Sequence, residues 1–153
     1  MDQNAKKRNE LREQQMIKAL ESRNMEAYYA ENKEEALCKA LELMPEGSSV
    51  AWGGSMSVKE IGLIKAVHER NYEVYDRDLA KTPEERTEIT KKAFFSDFFL
   101  ASSNAITEDG ILVNIDGHAN RVAAIAYGPK NVLMIIGMNK VVRSEEDARA
   151  RAK

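Results

Sequence analysis

The chain of 153 residues is long enough for one domain with a sizeable core, and its net charge of −2, from 23 basic and 25 acidic residues, argues against a general nucleic-acid surface. The single cysteine, Cys38, excludes an internal disulfide and a cysteine-based metal cage within one chain, and His68 and His118 lack the paired spacing of a zinc site. Neither a secretory signal nor a run of roughly 18 apolar residues is present, so the sequence predicts a cytoplasmic protein without bound metal.

The first 44 residues are predicted to form two helices and a short strand. Residues 6–23 are rich in helix formers but carry few apolar side chains, which predicts a helix that packs weakly or contacts a partner. Residues 25–30 are predicted to be a strand. Residues 33–44 are predicted to be a helix, with Cys38 beside its apolar face as a small buried or half-buried residue.

The middle of the chain alternates predicted strands and helices. A strand over residues 48–52 leads into a glycine turn, and a helix is predicted from about Ser57, with Glu60 completing a capping box. Further along, the pattern predicts a strand over residues 72–75, a helix over 83–95 and a strand over 98–102.

The last third begins with a predicted hairpin. Asp109-Gly110 between apolar segments predicts a type I′ turn, and a helix is predicted from near Ala119 to a stop at Gly128-Pro129. The apolar run over residues 131–137 predicts a strand buried on both faces, and Ser144 caps a final helix. This alternation predicts an α/β fold, with a mixed, mainly parallel sheet covered by helices.

A first candidate site is the turn between the strand at 48–52 and the helix that follows it. In open α/β sheets, ligands bind outside the carboxyl ends of the strands, where glycine turns and helix N-termini offer N–H groups. Backbone N–H groups and serine hydroxyls here could hold a phosphate or carboxylate. The alternative is a tight turn with a serine cap. The predicted ligand-binding residues of this turn are Gly53, Gly54, Ser55 and Ser57.

A second candidate site spans residues 104–121. Glu108 or Asp116 could act as a general base, and Arg121 could pair with an anionic ligand. In the alternative interpretation, Arg121 forms an ion pair with a core carboxylate, and the polar residues of the segment only form turns and cap the helix. Asn114 and Asp116 are predicted to alternate on one strand face. The further ligand-binding residues predicted here are Asn104, Asn114, Gly117, His118 and Asn120, besides Arg121.

Four motifs together resemble the lactate-utilisation (LUD) domain family, in particular its uncharacterised bacterial members. They are Ala51-Trp-Gly-Gly-Ser-Met-Ser57, Asn104-Ala-Ile-Thr-Glu-Asp-Gly110, Leu112-Val-Asn-Ile-Asp-Gly117, and the run from Asn120 through Gly137-Met-Asn-Lys-Val-Val142. The resemblance covers about residues 4–142. It implies a fold similar to that of glucosamine-phosphate deaminase, ribose-phosphate isomerase and the coenzyme A transferases. It also implies a role in the oxidation of L-lactate to pyruvate beside iron-sulfur protein partners.

The segment from Asn104 to Gly117 also looks like that of methylthioribose-phosphate isomerase and the related initiation-factor exchange subunits. The isomerase's catalytic aspartate aligns with Asn104, an amide that cannot serve as a general base, and its catalytic cysteine has no counterpart. His118-Ala119 stands where the isomerase has a Gly-Thr type of pair. Anion binding through the two turns is more compatible with these residues than isomerase chemistry is.

The sequence therefore predicts a LUD-family protein that binds a small anionic metabolite, phosphorylated or carboxylated. One alternative is a non-catalytic assembly subunit of a redox complex, whose N-terminal helix docks on partners or on a second copy as a homodimer. Another is a sugar-phosphate isomerase or transferase. No cofactor is identified. The predicted division is an N-terminal helix over residues 1–22 and a LUD-like domain over residues 23–153, shortened at the C-terminus relative to similar proteins.

Overall fold

The computed structural model describes residues 3–153, except for the side chains of residues 5 and 6. The chain divides into two compact units. The first comprises the described residues up to Ala30 together with Ser103–Ile115 and Gly137–Lys153, and the second comprises Glu31–Ser102 and Asp116–Ile136. The predicted boundary between an N-terminal helix over residues 1–22 and a domain over residues 23–153 stays a prediction. Residues 1 and 2 of that predicted helix lie outside the described residues.

The second unit is built on a four-stranded parallel sheet with the strand order β2-β1-β3-β6. In register, Val50 of the central strand lies between Val74 and Phe98, and Phe99 lies beside Val132. The prediction of an α/β fold with a mainly parallel sheet is confirmed. The strands are β1 (Ser49–Trp52), β2 (Glu73–Tyr75), β3 (Phe98–Ala101) and β6 (Asn131–Met134).

Helices cover both faces of this sheet. Because side chains alternate along a strand, Val50, Trp52 and Leu100 pack in one apolar cluster, whereas Ala51 and Phe99 belong to another. Residues from α2, α3 and α4 complete the first cluster, and residues from α6 and the turn after α5 complete the second. The helices are α2 (Lys33–Leu43), α3 (Met56–Glu60), α4 (Leu63–Glu69), α5 (Pro83–Lys92) and α6 (Asn120–Ala126).

Asp97 joins the amino ends of three strands. Its carboxylate accepts hydrogen bonds from the Ser49 backbone N–H at 2.9 Å and from Lys130 Nζ at 2.7 Å, and its backbone C=O accepts one from the Asn131 N–H at 2.9 Å. The hydrogen bond from Lys130, followed by that from the Ser49 N–H, lowers the pKa of Asp97 from 3.8 to about 2. The ionised carboxylate thus stabilises the start of the sheet.

Acid should weaken the fold through Asp97. The folded pKa of about 2 lies below the unfolded value, so the stabilisation is complete above about pH 4 and is lost as the pH falls through about 2. Asp97→Asn should flatten the pH dependence of the free energy of unfolding across this window, measured by urea unfolding at several pH values. Glu88→Gln, at an exposed position of α5, is the matched control. Wild-type slopes in Asp97→Asn would contradict the assignment.

The first unit carries a three-stranded sheet with the order β5-β4-β7, in which β4 pairs antiparallel with β5 and parallel with β7. Ile106 and Thr107 of β4 are buried, as are Met16 of α1 and Ala148 of α7. The elements are α1 (Gln3–Ser22), β4 (Ala105–Thr107), β5 (Leu112–Val113), β7 (Val141–Val142) and α7 (Glu145–Ala152).

The β4–β5 hairpin is confirmed, but its predicted turn type is wrong. A type I′ turn needs two successive residues with positive φ, and in this loop Gly110, at +85°, is the only one. The Thr107 N–H instead donates to the Ile111 C=O at 2.9 Å, which closes a three-residue loop with glycine in the left-handed position. A Cβ on Gly110 would lie 3.2 Å from the backbone of Ala19, so the hairpin contacts α1 closely.

Three predictions about elements are wrong. Residues 25–30 form no strand, because no neighbouring strand pairs with them. The helix predicted from about Ser57 begins at Met56, but it is broken and its cap is Ser55. The Ser55 hydroxyl accepts the Val58 N–H at 3.3 Å, and Gly62 at φ +80° separates α3 from α4. The strand predicted to be buried on both faces is β6, which lies at the edge of its sheet, half-buried apart from exposed Asn131.

Cys38 is also exposed rather than buried or half-buried. It lies on α2 one residue after Leu37, which packs against the first apolar cluster, so a rotation of about 100° turns the thiol away from that contact.

Candidate functional site

The carboxyl ends of the strands in the second unit lie at one edge of the parallel sheet. There β1 leads into Gly53–Ser55, β2 leads into Asp76 and the short 3₁₀ turn Arg77–Leu79, and β3 leads into Ser102. Parallel strands deliver their following loops to the same edge. This edge therefore collects the polar residues of several loops.

Gly53 packs directly on the start of α6. A Cβ at this buried glycine would lie 3.5 Å from Arg121 Cγ and 3.6 Å from the Phe99 ring. These are ordinary contact distances. Two of the sequence-predicted site residues, Gly53 and Arg121, are thus neighbours although they lie far apart in the sequence.

Asp116 occupies the amino end of α6. Its Oδ1 accepts a hydrogen bond from Arg121 Nε at 2.8 Å and its Oδ2 accepts one from the Val122 N–H at 2.6 Å. Arg121 Nη1 also donates to the Ser102 C=O at 3.0 Å. The two side chains are only 13% and 11% exposed. Asp116 therefore occupies the Val122 N–H and the Arg121 guanidinium, the groups at the start of α6 that were predicted to bind a ligand. This arrangement corresponds to the alternative interpretation, in which Arg121 forms an ion pair with a carboxylate of the protein.

Arg77 has a different environment. Its Nη2 lies 3.5 Å from the Cβ position of Gly54, and its Nε is buried without a hydrogen-bond partner. Among residues 3–153, no carboxylate forms an ion pair with its side chain. The guanidinium therefore extends from the protein interior to exposed Gly54, and no carboxylate among the described residues engages its N–H groups in an ion pair.

Arg77 also lines a cavity of about 10 Å³. This volume is room for about one water molecule. Other residues lining the cavity are Trp52, Tyr75, Phe94, Phe99 and Asn120.

The Gly53–Ser55 turn offers further donors beside Arg77. In the described part of the chain, the Gly54 N–H has no acceptor. The Ser55 Oγ accepts the Val58 N–H, which leaves its hydroxyl proton able to donate. Both residues were predicted to bind a ligand. An anion at this turn could therefore receive donors from the backbone, a hydroxyl and a guanidinium.

The remaining polar residues of the 104–115 segment belong to the first unit. Asn104 Oδ1 accepts the Ile115 N–H at 3.2 Å, and Asn114 Oδ1 is buried without a hydrogen-bond partner. Glu108 Oε1 lies 2.9 Å from Arg12 Nε in an ion pair that lacks hydrogen-bond alignment. Since β5 ends at Val113, the prediction that Asn114 and Asp116 alternate on a strand is wrong.

A family model described as the LUD domain matches residues 13–153. The chain belongs to the LUD domain family. The family is associated with lactate utilisation, as the four motifs indicated. Neither a search of curated proteins nor a search of solved structures found a match. Within the described residues, no helix of this LUD domain has the length and apolar character needed to cross a membrane.

The structure gives the exposure of three further predicted ligand residues of the LUD domain. Gly117 and His118 are exposed, and nothing lies within 4 Å of a Cβ built on Gly117. Ser57 is half-buried in α3. Their ligand-binding roles stay predictions, as do the iron-sulfur partners, the homodimer and the likeness to the isomerase and transferase fold.

Sequence reasoning missed Arg77. The available indication was its position two residues after the predicted strand over residues 72–75, where the carboxyl end of a parallel strand meets a ligand edge. A basic residue at such a position is as informative as a glycine turn. Arg121, in the first turn of a predicted helix, was instead predicted to be the anion-binding arginine.

Proposed function

We propose that this LUD domain binds a small anionic metabolite, phosphorylated or carboxylated, at the Gly53–Ser55 turn, with Arg77 as its cationic partner. The observation that carries the proposal is the Arg77 guanidinium, which has a buried Nε without a partner and an Nη2 beside Gly54. A role in lactate utilisation follows from the family.

The chemistry of arginine supports an anionic ligand. A guanidinium is always charged, and its planar set of donors matches carboxylate or phosphate oxygens in bidentate fashion. A partly buried charge without a counterion is costly, so an arriving anion would remove part of that cost. The Gly54 N–H and the Ser55 hydroxyl would supply the remaining hydrogen bonds.

Arg121 and Asp116 have a supporting role in this proposal. Their ion pair packs the aliphatic part of Arg121 against Gly53 and fills the amino end of α6. Asp116 is engaged by two donors, so we do not propose it as a general base. The proposal is therefore one of binding and includes no chemical step.

The test is calorimetric titration of the full chain with inorganic phosphate, sugar phosphates and short hydroxy and keto acids. Arg77→Ala should weaken binding of the best ligand by about 1.5–3 kcal/mol, the effect of a hydrogen bond to a charged group. Arg70→Ala is the matched control, because Arg70 is an exposed arginine of the same unit and, among the described residues, makes no hydrogen bond or ion pair with Arg77 or the Gly53–Ser55 turn. Failure of the unmodified protein to bind any of these anions, or equal affinities in the two variants, would refute the proposal.

A further inference from the structure

Asp76 immediately precedes Arg77, and its carboxylate makes two contacts. Oδ1 accepts a hydrogen bond from the Asp78 N–H at 2.9 Å, which caps the turn Arg77–Leu79. Oδ2 lies 3.0 Å from His68 Nε2 at the end of α4. The Asp76 side chain is only 10% exposed. One buried carboxylate thus links the turn that bears Arg77 to a neighbouring helix.

His68 is itself fixed by an aromatic contact. Its ring meets Trp52 edge to face, with ring centroids 5.6 Å apart and an interplanar angle of 82°. Trp52 is the last residue of β1, is buried, and lines the same cavity as Arg77. The end of β1 therefore holds His68, His68 contacts Asp76, and Asp76 holds the start of the turn that carries Arg77.

We infer that Asp76 is a positioning residue that keeps the Arg77 guanidinium directed toward Gly54, and that His68 is its partner in this role. The inference rests on the proposed function, because Arg77 is the proposed ligand-binding cation. A 3₁₀ turn of three residues has little stability of its own, so its orientation depends on such side-chain links. Without them the long arginine side chain would recover much of its rotamer freedom, and the anion would have to order it again.

The first experiment reads the position of Arg77 without a ligand. In ¹⁵N-resolved NMR spectra, the buried Arg77 Nε–H should exchange slowly with solvent in the wild type. Asp76→Ala should accelerate this exchange by about tenfold or more, because the turn loses both links. Asn32→Ala is the matched control, since Asn32 caps α2 in the same unit through the Glu35 N–H at 2.9 Å and makes no hydrogen bond to the turn Arg77–Leu79. Its Arg77 Nε–H should exchange as in the wild type.

The second experiment measures the dissociation constant for inorganic phosphate by calorimetry. Asp76→Ala should raise it by about fivefold or more. Asp76→Asn should stay within about twofold of the wild type, because the amide oxygen can still accept the Asp78 N–H and its NH₂ can donate to the His68 ring nitrogen. His68→Phe keeps a ring against Trp52 but removes the link to Asp76, and it should weaken binding by about twofold or more. This variant keeps the inference testable if Asp76→Ala does not fold.

The two experiments separate the possible failures. The inference would be overturned if the Arg77 Nε–H still exchanged slowly in Asp76→Ala and if Asp76→Ala or His68→Phe bound phosphate with wild-type affinity. A wild type that protects the Nε–H but binds none of the anions would overturn the proposed function, while the exchange data would still decide whether Asp76 orders Arg77. Equal acceleration of Arg77 Nε–H exchange in Asp76→Ala and Asn32→Ala would reduce Asp76 to a general structural residue and so overturn its positioning role.

Discussion

Replacing Asp116 by alanine is expected to lower the free energy of unfolding by about 3–5 kcal/mol, the usual cost of breaking a buried ion pair by removing one partner. The substitution leaves Arg121, whose side chain is 13% exposed, without its carboxylate, and it removes the acceptor of the Val122 N–H. Asp116→Asn should cost less, because an amide oxygen still accepts one of the two hydrogen bonds. Urea unfolding followed by circular dichroism measures both changes.

The control for this prediction is Glu145→Ala. Glu145 pairs with Arg149 one helical turn away, and their side chains are 50% and 69% exposed, so its loss should cost less than about 1 kcal/mol. A double-mutant cycle of Asp116→Ala with Arg121→Met would isolate the coupling between the two side chains. If Asp116→Ala cost no more than Glu145→Ala, the pair would behave as a solvated one, and its support of the Gly53 turn would be in doubt.

Alanine at Gly128 should destabilise the protein by about 3 kcal/mol or more, from backbone strain and overpacking together. Gly128 has φ +122°, a conformation that residues with a Cβ rarely adopt, and a Cβ there would lie 2.8 Å from the Phe94 C=O and 3.0 Å from its ring. The clash is with backbone, so it cannot be relieved by moving a side chain alone. The midpoint of urea unfolding should fall accordingly.

Gly47→Ala separates the two causes. Gly47 also has positive φ, at +87°, but nothing lies within 4 Å of its Cβ position, so the substitution should cost only about 1–2 kcal/mol of strain. The difference between the two variants then measures the contact with Phe94. Equal costs would mean that the backbone at Phe94 and Gly128 moves apart to admit the methyl group.

Most of the sheet of the second unit could be predicted from local patterns of apolar and polar residues in the sequence. Apolar strands alternating with helices predicted β1 and β3 in a parallel arrangement, because burial on both faces removes the polar alternation that marks a half-exposed strand. The position of β6 in the strand order could not be predicted. An apolar run carries no information about strand order, so the edge position of Asn131–Met134 could not be distinguished from a central one.

The candidate site was predicted only in part. Glycine and serine at the end of β1 follow a local rule, and the Gly53–Ser55 turn was found by it. Asp116 reaches the Val122 N–H because Ala119, at φ +58°, turns the chain back before α6, and no residue pattern predicts a left-handed alanine. Likewise, residues 104–121 are continuous in sequence but divide between the two units after Ile115.

Trp52 gives this protein an intrinsic optical reporter. It is the only tryptophan in the chain, its side chain is almost wholly shielded from solvent, and it touches both the His68 ring and the cavity beside Arg77. Its emission intensity and wavelength should therefore respond to changes at the carboxyl edge of the parallel sheet with no contribution from indoles elsewhere. Titrations could be followed in a fluorimeter at micromolar protein concentration without attaching a dye.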